Sequence, residues 1–177
     1  MSMKQILPIV TLPDIRLREL STPLTAEHIL ESSMQKFADA MIDTMYDDDG
    51  IGLAAPQVGR NIRLIVVGKD ALAEQTALPF DTKSDAIFFN PEITEYSWKS
   101  GIEEEGCLSV PGLAGFVERH IKISVTATLR DGTKVKFAAN DYFARVLQHE
   151  IDHLNGILFI DRAKETWKHD RKHPKAV

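Results

Sequence analysis

Gln148-His149-Glu150-Ile151-Asp152-His153 decides how this chain is read. It carries an H-E-x-x-H pattern near the end of a segment with helical spacing. A helix turns about 100° per residue, so positions i and i+4 stand about 40° apart and one turn up. Two imidazoles so placed can share one metal ion, and the Glu beside the first can take a proton from water at that ion. With His149 set at zero, Val146 falls at about 60°, Phe143 at about 120°, Leu154 at about 140°, Leu147 at about 160° and Ile151 at about 200°. Glu150, near 100°, lies inside that apolar arc, where an unpaired carboxylate costs several kcal/mol unless it finds a partner or protonates. A metal site would supply the partner. Arg145, Gln148, Asp152 and Asn155 occupy the opposite, polar side, with Asp152 expected in a structural ion pair.

Working outward, the 177 residues suffice for one domain with its own core. A hydrophobic content of 44% and a charged content of 27% are those of an ordinary globular protein. The net charge of −5 gives no electrostatic reason to expect nucleic-acid binding. The start, Met-Ser-Met-Lys-Gln-Ile-Leu-Pro8, lacks the apolar core of a secretory signal, and no stretch has the roughly 20 apolar residues of a membrane span. A cytoplasmic location is the default expectation. The lone Cys107 excludes an intrachain disulfide.

Residues 1–24, punctuated by Pro8, Pro13 and Pro23, read as an irregular arm. Thr25 is a candidate N-cap for one helix carrying Ile29, Met34, Phe37, Met41 and Met45 as a core stripe, ended by Asp47-Asp48-Asp49-Gly50. Ile62 to Val67 predicts a strand, residues 68–85 a surface loop, and Ala86 to Asn90 a further strand stopping before Pro91. Ile121, Ile123, Val125, Ala127 and Leu129 alternate with polar residues, and Asp131-Gly132 offers a hairpin turn into Thr133–Phe137. The motif helix is expected from Asp141, as N-cap, to Asn155-Gly156. A short segment follows over Asp161–Trp167. Residues 168–177 are expected to fray, with His169 and His173 solvated. The pattern is an α+β domain spanning residues 1–177.

Two histidines leave a tetrahedral ion one protein ligand short if it is to keep an open position. Downstream, Asp161, Glu165, His169, Asp170 and His173 lack a convincing scaffold. Upstream, Cys107 stands in Glu105-Gly106-Cys107-Leu108-Ser109, and its thiolate is a strong ligand for borderline divalent metals. Cys107 is therefore the better third ligand.

Taken in order, Gly50-Ile51-Gly52-Leu53-Ala54-Ala55-Pro56-Gln57-Val58-Gly59, Glu105-Gly-Cys-Leu-Ser109 and Gln148-His-Glu-Ile-Asp-His153 resemble the three signature motifs of the peptide deformylase family. The resemblance runs over most of the chain, including the arm with Pro13-Asp14 and Arg16-Leu17-Arg18. It implies antiparallel strands packed around a central HExxH-bearing helix, and a cytoplasmic hydrolase removing the N-formyl group from formyl-methionyl nascent polypeptides at the ribosome, with release of formate. It implies Cys107, His149 and His153 as ligands of Fe(2+), replaceable by Zn(2+), Ni(2+) or Co(2+), with Glu150 as general base and acid. Gln57 and the backbone N–H of Leu108 match the family's oxyanion donors. Gly52, Ile51, Gly106, Tyr142 and Val146 are expected to receive the substrate and its methionine side chain. Glu105 is either exposed within Glu103-Glu104-Glu105 or orients a ligand imidazole or a neighbouring cation. Gly112-Leu-Ala-Gly115 lacks a basic residue that some bacterial relatives place there to hold the substrate backbone. The rival readings are an HExxH metallopeptidase and a catalytically silent metal-binding homologue.

Overall fold

Leu64-Ile-Val-Val67 is apolar at every position, which suits a strand covered on both faces. The computed structural model, which describes residues 4–169, places it as β2 (Leu64–Val67) inside a five-stranded antiparallel sheet. The order is β1 (Gly52–Ala54), β2, β3 (Ala86–Tyr96), β6 (Lys122–Thr128) and β7 (Lys134–Asn140). Side chains alternate across a strand, so Ile65 and Val67 join Phe88, Val125 and Phe137 on one face. Leu64 and Val66 join Ile87 and Phe89 on the other. A second sheet pairs β4 (Ser100–Gly106), β5 (Leu113–His120) and β8 (Glu165–Lys168) in that order.

The expected α+β class with antiparallel strands holds. The HExxH helix α3 (Asp141–Leu154) packs its Phe143, Val146, Leu147, Ile151 and Leu154 against the first face of the large sheet. It also touches β5 of the small sheet, so it lies between the two. The opposite face of the large sheet is covered by the methionine stripe, Met34, Met41 and Met45. Gly156 takes φ 71° just past the end of α3, the left-handed geometry a C′ residue requires. No helix among the described residues is long and apolar enough to cross a membrane.

Several boundaries differ from expectation. Thr25 does cap a helix, accepting from His28 N at 3.3 Å, but α1 (Ala26–Leu30) stops after one turn. Glu31 turns extended (ψ 135°) and α2 (Ser32–Asp47) starts afresh. Apolar spacing alone cannot register such a one-residue break. Strand β3 runs through Pro91, not up to it. A register shift between Phe89 and Glu92, with Asn90 at φ 49°, lets the missing proline N–H pass without breaking the ladder. Asp141 is the first helical residue of α3, and Asn140 stands at the cap without a side-chain bond. The 161–167 segment divides between a single-turn helix α4 (Phe159–Arg162) and β8.

The 68–85 loop is pinned by Asp85, which accepts from Tyr46 Oη at 2.5 Å and Lys69 N at 2.9 Å. Lys168 is in β8, and His169 is half-buried, its backbone N–H bonded to Gly112 O at 2.9 Å. The rest of the tail, with Asp170 and His173, lies outside the described residues. The arm is largely irregular, as read. It is stitched to the segments carrying the motifs: Val10 N bonds Gln57 O at 2.7 Å and Leu12 N bonds Ser109 O at 3.0 Å.

Candidate metal centre

Helical spacing brings the two imidazoles of α3 together, and the end of β4 delivers the thiol. His149 Nε2 and His153 Nε2 stand 3.3 Å apart, and His153 Nε2 is 3.3 Å from Cys107 Sγ. All three donor atoms lie within 4.8 Å of one another, in residues no more than 2% exposed. A tetrahedral ion with bonds of about 2.0–2.3 Å separates its N and S ligands by roughly 3.3–3.6 Å. The observed spacings fit one ion. No other such group of three His, Cys, Asp or Glu donors is found among the described residues.

Burial sets the ionisation of these donors. Burial pushes the Cys107 thiol up to about 12; the Glu150 charge adds to this, while the Ser109 and Val110 backbone N–H groups oppose it. The sulfur thus becomes a thiolate only beside a positive ion. Burial, the largest cause, pushes His153 well below its ordinary value, so its imidazole is neutral. His149 Nδ1 lies 3.0 Å from Glu105 Oε2. That bond assigns the N–H to Nδ1 and leaves Nε2 as the free donor.

Glu105 is fully buried, which overturns the exposed reading, and it contacts both an imidazole and two guanidinium groups. Its Oε1 accepts from Arg119 Nε at 2.9 Å and Arg145 Nη1 at 2.7 Å. Its Oε2 accepts from Arg119 Nη2 at 2.9 Å as well as from His149. Burial alone would raise its pKa, yet the His149 and Arg119 bonds outweigh it and hold the carboxyl well below the usual carboxylate range. A depressed folded pKa adds stability that is complete above the unfolded value and is lost as pH falls through the folded one. Metal-free protein should therefore lose melting temperature as pH falls below about 5. Thermal melts between pH 7 and pH 3 check this, and Glu105→Gln should flatten the acid slope.

The polar side of α3 is buried as well. Arg145, Gln148 and Asp152 are 4%, 5% and 6% exposed, and only Asn155 is open. The small sheet and α4 cover that side and bring their own charges. Asp152 forms its expected ion pair, with Arg119 at 2.5 Å and Arg162 at 2.6 Å. Gln148 accepts from His120 N at 3.1 Å and donates to His120 O at 2.8 Å. A helical wheel separates polar from apolar and says nothing about whether the polar arc meets water or counter-charges. Arg119 in β5 and Arg162 in α4 lie outside what such a wheel can register.

Glu150 is 1% exposed and neither carboxylate oxygen has a hydrogen-bond partner. Burial, reinforced by the Glu105 charge, pushes its pKa well above the ordinary value. Gly52 packs directly on it: a Cβ there would sit 2.5 Å from Glu150 Oε1. Gln57 lies in a single 3₁₀ turn (Ala55–Val58), where its Oε1 accepts from Ala54 N at 2.8 Å. The amide is thereby turned so that Nε2 faces Cys107 Sγ at 3.5 Å. Leu108 and Gly106 flank the cysteine and are buried. Ile51 packs on the cluster containing the fully buried Val146, whereas Tyr142, one turn earlier on α3, is 37% exposed. The phenol of Tyr142 is pushed up by burial and by the Glu103 and Glu105 charges, with Arg145 opposing.

This geometry has relatives. The family model described as polypeptide deformylase matches residues 6–169. The peptide deformylase of Desulfotalea psychrophila is 45% identical over 157 residues, covering 88% of this chain and 86% of that protein. That of Bartonella bacilliformis is 46% identical over 155 residues, covering 87% and 82%. Among solved structures, a class I type b peptide deformylase from Acinetobacter baumannii, bound to Met-Ala-Ser, superposes with a TM-score of 0.80 at 35% identity, covering 90% of this chain and 99% of that one. The Thermotoga maritima enzyme gives 0.80 at 36% identity, covering 91% and 99%. Kinship over most of the chain joins a cluster of one thiol and two imidazoles beside an unpaired carboxylate, and the chain belongs to the peptide deformylase family, enzymes that remove N-formyl groups in a metal-dependent reaction.

Proposed function

We propose that this single catalytic domain deformylates the formyl-methionine that begins nascent polypeptides, in the cytoplasm and close to the ribosome, with Cys107, His149 and His153 holding Fe(2+); Zn(2+), Ni(2+) and Co(2+) suit the same donors. The observation that carries the reading is Glu150: a fully buried carboxylate with no partner, beside three donors spaced for one ion. A closed structural site would have no use for it. The bound Met-Ala-Ser of the A. baumannii relative has the form of a product that such a reaction would leave.

When bound, the ion supplies Lewis acidity and brings the pKa of a water from 15.7 towards about 7. Glu150, poised by its raised pKa, accepts the proton of the attacking water and later delivers it to the departing amine. The Gln57 amide, held by Ala54 N, and the Leu108 backbone N–H face the oxygen that gains charge as the formyl carbon becomes tetrahedral. Gly52, whose lack of a side chain gives the Glu150 carboxylate its place, offers its backbone to the substrate. Ile51 and Tyr142, with Val146 beneath, border the methionine side chain, and Gly106 lines its path.

Formate release from a formyl-Met peptide, compared with internal cleavage of its free-amine counterpart, tests the reaction; internal cleavage without formate would favour a metallopeptidase. Elemental analysis after anaerobic purification identifies the ion. Gln57→Leu should lower kcat by about 10²–10³ with the metal retained and KM little changed, in line with the loss of one oxyanion donor. Steady-state kinetics on the metal-loaded variant check it.

A further inference from the structure

We infer that Arg145 is a positioning residue: it fixes, through Glu105, the direction in which His149 presents its free nitrogen, and it ties the helix bearing the imidazoles to the strand that delivers the thiol. The inference rests on the reading of Cys107, His149 and His153 as metal ligands.

An ionised carboxylate has about four acceptor positions. In Glu105 four donors take them. Arg119 takes one on each oxygen, with 2.9 Å bonds from Nε to Oε1 and from Nη2 to Oε2. Bound this way, Arg119 alone would leave the two oxygens equivalent. Arg145 Nη1 occupies the second position on Oε1 at 2.7 Å, so only Oε2 remains, and His149 Nδ1 takes it at 3.0 Å. The imidazole thus has one place to dock.

The other contacts of Arg145 make this a rigid brace. Its Nη2 donates to Gly101 O at 2.8 Å and its Nη1 to Val117 O at 3.1 Å, carbonyls of β4 and β5. Its Nε lies 3.4 Å from Glu103, also on β4. Strand β4 ends at Gly106 and Cys107 follows it. Arg145 itself stands four residues before His149 on α3, so one planar fork spans both sources of donor atoms. Lysine, a compact ammonium on a flexible stem, cannot reproduce that span. Arg119 is less free to set the imidazole, because its Nη1 is also engaged by Asp152 at 2.5 Å.

A purely structural brace and a positioning residue would both lower the melting temperature when lost, so a spectroscopic readout is needed. Wild type, Arg145→Gln, Arg145→Lys and Arg162→Gln are loaded with Co(II) under anaerobic conditions. The visible d–d and thiolate charge-transfer bands are recorded, followed by the rate of Co(II) loss to excess chelator. Arg162→Gln is the control: it removes an Asp152 ion pair of α3 without touching Glu105. Both Arg145 variants are expected to shift the d–d bands and release cobalt about 10–100-fold faster, the range seen when groups that orient ligands are removed. Arg162→Gln should leave both signals at wild-type values. A wild-type spectrum and release rate in either folded Arg145 variant overturns the inference; if the glutamine variant does not fold, the lysine variant decides alone. Absence of a thiolate band in wild type would sink the ligand assignment itself, a separate and recognisable failure.

Discussion

Glu150→Gln is expected to cut formate release by about 10²–10⁴-fold, the usual worth of a positioned general acid–base, while the ion stays bound. Glutamine has nearly the same shape but cannot take a proton. The wild-type carboxylate lies 1% exposed with both oxygens unpartnered, so its basicity is set by its surroundings. The same substitution carries a second signature in metal-free protein. A carboxyl whose folded pKa is raised makes the folded state bind more protons than the unfolded one, so stability falls as pH rises above the ordinary glutamate value, about 4.3. The glutamine variant lacks this liability. Its melting temperature should exceed wild type by a margin that widens from about pH 5 upward. Kinetics on loaded protein and melts on chelator-treated protein measure the two effects independently; near-normal turnover by Glu150→Gln would remove Glu150 from the mechanism.

Gly52→Ala should be almost as damaging, through one methyl group. That carbon would stand 2.5 Å from Glu150 Oε1, 2.9 Å from Cδ and 3.0 Å from Cγ. The strand cannot easily retreat, because Gly52 pairs with Val67 and the adjoining Leu53 and Ala54 are fully buried. The carboxylate must move instead, and a shift of about 1 Å in a reacting group can cost about 10²-fold in rate. The loss should fall on kcat with metal content unchanged. Full activity would mean that Glu150 tolerates displacement, and the proton-transfer role would need another residue.

What the sequence made legible follows a physical pattern. The spacing of His149 and His153, the misplaced acid between them and Gly156 after them foretold a helix with a donor pair, and the chemistry of Cys107 pointed to it as the third candidate ligand. The period-two run of β6 and the Asp131-Gly132 turn foretold the β6–β7 hairpin, whose pairing sets Val125 opposite Phe137. The small sheet was overlooked because its inward positions include Glu105 and Arg119, so its alternation does not look hydrophobic. Charges buried against other charges are invisible to a hydropathy pattern. Their partners become apparent only when the sheet is laid across α3. The register shift at Pro91 and the break at Glu31 were hidden for a different reason: each is a local backbone choice made by tertiary packing.

The arm has a bearing on when in its synthesis the protein can first take up an ion. Val10 and Leu12 grip Gln57 and Ser109, Leu17 shares an apolar cluster with Cys107, and Ser21 N bonds Leu154 O at 2.9 Å, at the close of the HExxH helix. Residues of the arm thus wait for partners that lie up to well over a hundred positions later in the sequence. A chain made only as far as Cys107 would own a thiol and no imidazole pair, too few of the proposed ligands to hold an ion. Metal capture then doubles as a certificate of completed folding, since the ion rewards only the finished form.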